Sequence, residues 1–190
     1  GDVTIVDYSN MRIRTVDGEG NIQTTVGNGF HAYSEMGANP LDTPLENPID
    51  MGWNLAGDLC LLPQHEGRVI CVNGDNTIER YAGTGVIADG HDGGDALDAD
   101  LGYGGGMVFT ADGTLFISDS TFSRVRRVTP DGTIDTVLGT GSAGTGEAGF
   151  GPDMSIWFPE RLAFDEGNQR LIVADTWNHR VIELDADTLE

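Results

Sequence analysis

The sequence repeats itself with a period of 56 residues. Four arginines keep this spacing along the chain: Arg12, Arg68, Arg124 and Arg180. The same period relates residues downstream of them, namely Ile22, Ile78 and Ile134 and the Gly-x-Gly pairs that begin at Gly27, Gly83 and Gly139. A fixed period of this length indicates that one supersecondary unit is copied along the chain and packs against its neighbours.

Each unit consists of short apolar stretches that are separated by turn residues. In the third unit they are GMVFT, TLFIS, RVRRV and TIDTVL, separated by ADG, DSTFS and TPDG. Short strands with Asp-Gly turns predict a four-stranded antiparallel meander, and the lack of helical periodicity predicts very little helix. Repeated meanders predict an all-β fold, the β-propeller, in which each meander forms one blade with strands a to d.

Three short motifs resemble those of the NHL-repeat propellers. They are Asp-Thr-Trp-Asn-His-Arg-Val at 175–181, Gly-Thr-Gly at 139–141, and Asp92-Gly-Gly followed by Ala96. The resemblance extends over nearly the whole chain and is poorest in the unit that contains Pro63. It implies the fold but leaves the activity open, because the family includes binding scaffolds, lyases and uncharacterised surface proteins.

The phase of the repeat predicts a single propeller domain over 1–190 that holds only part of a ring. Blades at 49–82 and 105–138 are complete, whereas 1–27 supplies strands b to d and 161–190 supplies strands a to c. Because propellers have about four to eight blades, we expect the segment to belong to a ring of about six. Further blades, a second copy or a partner chain would complete it and cover the exposed strand edges.

An aspartate lies five residues before the repeated arginine in three of the units. The hairpin register places these residues opposite each other, in the pairs Asp7 and Arg12, Asp119 and Arg124, and Asp175 and Arg180. We expect cross-strand ion pairs that fix the turn between strands b and c, and an architectural role is favoured over a ring of charged ligands. In the second unit Pro63 replaces the aspartate, so Arg68 either pairs with Glu66 or is free for another role.

The stretch LCLLPQHEGRVICV at 59–72 contains both cysteines of the chain. The register that places Pro63 opposite Arg68 also places Cys60 opposite Cys71, within reach of a disulfide bond. We predict this bond, and with it an oxidising compartment: an extracellular, periplasmic or cell-surface location of an exported bacterial protein. Two reduced, partly buried thiols are the alternative.

Residues that do not repeat are the candidates for function, and they concentrate on one face. The b–c turns and the long d–a links at 28–48, 84–104 and 140–160 emerge on the same side of a propeller, which we call the loop-rich face. Its candidate ligand-binding residues are His65, Arg68, His91, Trp157, Trp177 and His179.

Two groups of carboxylates on this side are candidate metal ligands. Asp89, Asp92 and Asp95 offer the hard oxygen atoms that suit Ca²⁺, although their spacing is not that of an EF-hand and a solvated acidic loop is the alternative. Asp50 and Glu160 lie at the expected end of the channel, where some related propellers hold a catalytic metal. No Gly-x-Ser-x-Gly motif is present, and neither cysteine has a catalytic partner by spacing.

The net charge of the chain limits the classes of partner that it can bind. The chain has 31 acidic and 10 basic residues, which gives a net charge of −21. Such a field repels phosphate, which argues against nucleic acid and anionic membranes as partners, and no apolar run reaches the about 20 residues of a membrane helix. We therefore expect a non-catalytic scaffold whose acidic loop-rich face binds a protein, a glycan or a cation. The alternatives are a metal-dependent hydrolase or lyase with its site in the channel, and a structural unit of a surface array.

Overall fold

The computed structural model describes residues 1–146 and 150–189. In these residues the strands form four antiparallel sheets, and helix is limited to three short 3-10 turns. The predicted all-β propeller segment, with two complete and two partial blades, is therefore confirmed. Residues 147–149 of the link 140–160, and Glu190 of the last blade, lie outside the described residues. No helix in the described part is long and apolar enough to cross a membrane.

The four sheets follow one another along the chain, and each is a simple meander. The first contains β1 (Val3–Asp7), β2 (Arg12–Val16) and β3 (Ile22–Val26). The second contains β4 (Pro48–Trp53), β5 (Leu59–Pro63), β6 (Val69–Val72) and β7 (Ile78–Ala82). The third contains β9 (Gly104–Phe109), β10 (Leu115–Asp119), β11 (Arg124–Val128) and β12 (Thr133–Leu138), with the short β8 (Gly94–Asp95) added at its outer edge. The fourth contains β13 (Pro159–Asp165), β14 (Arg170–Asp175) and β15 (Arg180–Asp185).

The inner strands β4, β9 and β13 of successive blades lie side by side. Small residues allow this close approach, since a Cβ atom on Gly105 would lie 2.5 Å from the carbonyl oxygen of Pro159. Each inner strand is irregular near its first residues, where its register with the next strand shifts. The first residues of these strands thus meet at one end of the channel, on the loop-rich face.

Apolar side chains fill the space between neighbouring blades in three separate clusters. Leu61 and Ile70 face the first blade, whereas Cys60 and Cys71 face the third. Adjacent residues of a strand point to opposite sides of the sheet, so one blade contributes to two clusters. The third cluster joins the last two blades through Phe116, Val125, Val137, Leu138, Leu171 and Val173. The core is therefore a series of layers that follows the repeat.

Aspartates build many of the turns on the opposite face, between strands a and b and between c and d. They are Asp17, Asp112, Asp131, Asp165 and Asp185, and hydrogen bonds within each turn hold the pKa of these carboxyls below the ordinary value. For Asp17 the largest contribution to the lowered pKa is the hydrogen bond from the Asn21 side chain. Asp is favoured in turns for this reason. Part of the negative charge therefore serves turn formation away from the loop-rich face.

Cys60 lies opposite Cys71 in the ladder between β5 and β6, and the two form a disulfide bond. Both residues are buried. The bond therefore links the two central strands of the second blade from within the core, and the prediction from the hairpin register is confirmed.

Removing this bond should destabilise the fold. Its two cysteines are separated by 11 positions, and closing a loop of about that length contributes about 2–3 kcal/mol. We expect the double variant Cys60→Ala with Cys71→Ala to lose that amount in urea unfolding relative to the oxidised protein. Titration of the denatured, unreduced protein should find no free thiol, and two free thiols would contradict the assignment.

Candidate functional site

The repeated arginines attach the long links to the blades. Arg12, Arg68 and Arg124 each pack against the second glycine of their own Gly-x-Gly pair; a Cβ atom on Gly141, for example, would lie 2.4 Å from Arg124 Nη2. The same side chains bond to link residues, as follows: Arg12 Nη2 to Asn28 O at 3.0 Å, Arg68 Nη2 to Ser34 O at 2.8 Å, Arg124 to the Asp89 carboxylate, and Arg180 Nη2 to Ser155 O at 3.1 Å. The geometry of the loop-rich face therefore depends on these four guanidinium groups.

Only one of the three expected cross-strand ion pairs forms. The register places each aspartate opposite its arginine, and Arg180 Nε lies 2.7 Å from Asp175 Oδ2. Asp7 instead pairs with Arg14 at 3.3 Å, and the buried Asp119 accepts hydrogen bonds from the amides of Gly102 and Phe122. The expectation was wrong for Arg12 and Arg124, because both side chains extend past the turn to a link.

In the second unit Glu66 takes the place of the missing aspartate. Its fully buried carboxylate accepts hydrogen bonds from Ser34 N at 2.6 Å and Ser34 Oγ at 2.9 Å, and it lies 2.8 Å from Arg68 Nε. Of the two alternatives for Arg68, pairing with Glu66 is the one observed. Arg68 is therefore part of the link anchor, and its side chain is largely buried.

His31 and His65 share the carboxylate of Glu46. His31 Nε2 lies 2.8 Å and His65 Nδ1 2.9 Å from Glu46 Oε1, and the His65 amide donates to Oε2 at 2.8 Å. Burial raises the pKa of Glu46, but the hydrogen bonds from the two histidines outweigh it and hold that pKa below the ordinary value. We call these three residues the His–Glu cluster; the sequence pattern gave no signal for Glu46, which lies outside every repeated position.

The carboxylates of the link 84–104 have separate partners. Asp89 pairs with Arg124 and Asp92 with Arg126, while Asp95 accepts the amide of Leu97 at 2.8 Å. His91 approaches a fourth carboxylate, that of Asp100, at 4.0 Å. Within 1–146 and 150–189, no group of three or more His, Cys, Asp or Glu residues is arranged to hold a metal ion. Among the described residues, Asp89, Asp92 and Asp95 do not make up such a group, and Ca²⁺ binding by them stays a prediction.

The two carboxylates expected at the channel end are also engaged. Asp50 Oδ2 accepts the amide of Met107 at 3.0 Å and lies 3.1 Å from Arg161 Nη1. Glu160 Oε2 accepts a hydrogen bond from Thr176 Oγ1 at 3.0 Å. Both candidate carboxylates therefore already have partners within the protein.

Three aromatic side chains form a surface cluster at the start of the last blade. The Trp177 ring stacks on Phe158 at 5.1 Å and meets Trp157 at 5.2 Å with a tilt of 60°. Trp177 is 52% exposed and Trp157 37% exposed. We call Trp157, Phe158 and Trp177 the aromatic cluster. His179, which follows in the same turn, ends a 3-10 turn in the left-handed conformation and so has a structural role.

A cavity of about 230 Å³ adjoins the aromatic cluster at the channel end. We call it the channel-mouth cavity, and it is lined by Ile49, Gln64, Gly104, Gly105, Ser120, Phe158, Glu160 and Arg161. Phe158 belongs to both features, so the aromatic surface and the polar cavity are continuous. A second cavity of about 350 Å³ shares Ile49, Gln64 and Arg161 with it and extends to Tyr8.

The structure thus brings only some of the ligand-binding residues predicted from the sequence close together. Trp157 and Trp177 lie in the aromatic cluster and Glu160 lines the adjoining channel-mouth cavity. His65 lies in the His–Glu cluster and His91 on a separate link. Phe158 and Gln64 line the cavity but were not among the residues predicted from the sequence. Phe158 follows Trp157 directly, so an aromatic pair before Pro159 was a usable signal, but Gln64 occupies an ordinary turn position.

The His–Glu cluster should make stability depend on pH. Glu46→Gln removes a carboxylate that accepts three hydrogen bonds, and we expect a loss of about 1.5–3 kcal/mol at pH 7. Because the pKa of Glu46 is lowered on folding, this stabilisation is present above the ordinary carboxyl pKa and lost as pH falls through the folded value. Urea unfolding from pH 7 to pH 3 should show the variant and the wild type converging.

Glu35→Gln is the matched control, because Glu35 is an exposed glutamate on the same link. It should leave stability unchanged across this range. A constant difference between Glu46→Gln and wild type down to pH 3 would contradict the assignment.

Comparison with known proteins agrees with this architecture. The family model for the NHL repeat matches residues 157–183, which include the aromatic cluster. A search of curated proteins found no match to the sequence. The chain is similar in structure to an auxiliary nutrient binding protein from Bacteroides ovatus, with a TM-score of 0.68 and 16% identity over 96% of this chain and 45% of that one.

Two further solved structures share the fold. One comes from a nidogen/laminin complex, with a TM-score of 0.65 and 16% identity over 100% of this chain and 57% of that one. The other is a streptogramin B lyase, with a TM-score of 0.55 and 12% identity over 99% of this chain and 52% of that one. This chain therefore spans about half the length of these structures. The chain therefore contains a match to the NHL repeat at 157–183, and its strand topology is that of a partial β-propeller.

Proposed function

We propose that the chain is part of a non-catalytic binding scaffold that takes its ligand on the loop-rich face. The observation that carries the proposal is the exposed aromatic cluster beside the channel-mouth cavity. Small-molecule sites typically combine such apolar, aromatic surfaces with a few fixed polar groups in a concave setting. The carboxylates that a catalytic metal would need are instead bound to backbone amides, arginines and a threonine.

The partner is a protein or a glycan, and the setting is outside the cytoplasm. The buried disulfide supports an oxidising compartment, extracellular or periplasmic. One neighbour in structure is called a nutrient binding protein and another comes from a complex with laminin, which supports a binding role for a protein with this fold. We further propose that additional blades or chains complete the ring, because this chain matches about half of each of those structures.

A metal-dependent hydrolase or lyase is the second candidate. It is favoured by the similarity in fold to a streptogramin B lyase and by the position of Asp50 and Glu160 at the channel end. Similarity in fold at 12% sequence identity is not evidence of a shared activity. The existing partners of both carboxylates rank this candidate below the scaffold.

One experiment can distinguish reversible binding of a ligand from its chemical conversion. The immobilised chain would be exposed to neutral oligosaccharides, polyuronate fragments and laminin, each with EDTA or with added Zn²⁺, and the eluted probes analysed by mass spectrometry. We expect at least one probe class to be retained reversibly, recovered intact and unaffected by EDTA. Cleaved probe, binding that EDTA abolishes, or no retention of any probe would contradict the scaffold.

A further inference from the structure

We propose that the aromatic cluster and the channel-mouth cavity form one binding site for a neutral, pyranose-containing glycan. This inference rests on the proposed binding function and specifies its ligand and its place. The site combines an exposed aromatic surface of three rings with polar groups at its edge. None of the repeated arginines is needed for contact with the ligand, since all four hold links.

The aromatic surface fits the apolar side of a sugar ring. Phe158 and Trp177 lie nearly parallel, at an interplanar angle of 27°, and Trp157 meets them at a tilt, so the cluster presents an angled wall. Large aromatic side chains gain free energy when their faces are removed from water, and half of Trp177 is still exposed. The C–H groups of a pyranose form a flat apolar surface that would cover such a ring.

The polar edge supplies partners for the sugar hydroxyls. Glu160 is fixed by Thr176, the residue before Trp177, so the carboxylate has a set position relative to the aromatic wall. Gln64 accepts a hydrogen bond from the Tyr8 hydroxyl at 3.1 Å, and this bond positions its amide in the same cavity. A carboxylate accepts from two neighbouring hydroxyls, while an amide both donates and accepts. These two groups therefore match the mixed donors and acceptors of a sugar.

The charges at the site favour a neutral ligand. The chain carries a net charge of −21, which disfavours uronic acids, sulfated sugars and phosphates. A simple cation would be attracted to the aromatic faces and to Glu160. Arg161, whose side chain is 62% exposed, lies in the wall of the same cavity and opposes a cation there. A polar but uncharged molecule avoids both the repulsion of anions by the net negative charge and the repulsion of cations by Arg161.

The backbone of the site is strained and held in place. Phe158 has φ +50°, a left-handed conformation that is rare for a bulky residue and costs free energy. The neighbouring Trp157 amide is fixed by Asp175 Oδ1 at 2.7 Å, and its carbonyl accepts the amide of Trp177 at 3.2 Å. The aromatic wall is therefore ordered before the ligand binds, which lowers the entropy cost of binding.

The test measures binding to the purified chain by calorimetry. The probes are neutral hexasaccharides built from glucose, mannose or xylose, with a polygalacturonate hexamer and tetramethylammonium as charged competitors. We expect one neutral series to bind and Trp177→Ala to weaken it about tenfold or more, with Glu160→Gln having a similar effect. Trp177→Phe, which keeps a ring, should retain most of the affinity.

Trp53→Ala is the matched control, because Trp53 is also 52% exposed but ends β4 on the opposite face. It should bind like wild type, and thermal melts of all variants would verify folding. Equal weakening by Trp53→Ala and Trp177→Ala, or tighter binding of either charged probe, would overturn the inference. Failure of all neutral glycans while laminin is retained would overturn it and leave the scaffold function standing.

Discussion

The loop-rich face of this protein depends on the contact between four arginines and the long links between blades. Each blade is a regular meander whose strands are fixed by hydrogen bonds and interblade packing. The links have little regular structure of their own and need an external anchor. A guanidinium group provides it because its planar fork donates several hydrogen bonds in fixed directions, so one side chain reaches Glu66 and Ser34 together. Any site built on these links takes its geometry from that anchor.

The residues that do not follow the repeat and that could bind a ligand lie at positions that the arginine anchors do not occupy. The His–Glu cluster fills the junction of the first two blades, and the aromatic cluster occupies the start of the last blade. The channel-mouth cavity lies where three inner strands begin, so it collects side chains from positions far apart in sequence, such as Gln64 and Glu160. A repeated framework with variable connections is a general way to vary ligands without changing the fold.

The period of 56 residues was enough to predict the blades, the hairpin registers and the disulfide, because strand pairing converts sequence spacing into contacts with little ambiguity. Side-chain partners across the links were not predictable in this way. Arg124 pairs with Asp89, on a link whose path is set by tertiary contacts and not by a period. For the same reason Asp89, Asp92 and Asp95, close in sequence, go to separate partners. Acidic composition likewise could not locate the charge on one face, since five aspartates serve turns on the opposite face.

Hydrogen exchange in an Arg68→Lys variant tests the anchoring role most directly. Lysine keeps the charge but cannot bond to Glu66 and Ser34 at once, as the guanidinium group does. Amides of the link 28–48 should exchange about tenfold faster or more, while those of β5 to β7 keep their rates, since a lost charge-assisted bond is about 1.5 kcal/mol or more. Arg170→Lys, at an exposed ion pair, should change neither. Unchanged exchange in the link would contradict the account.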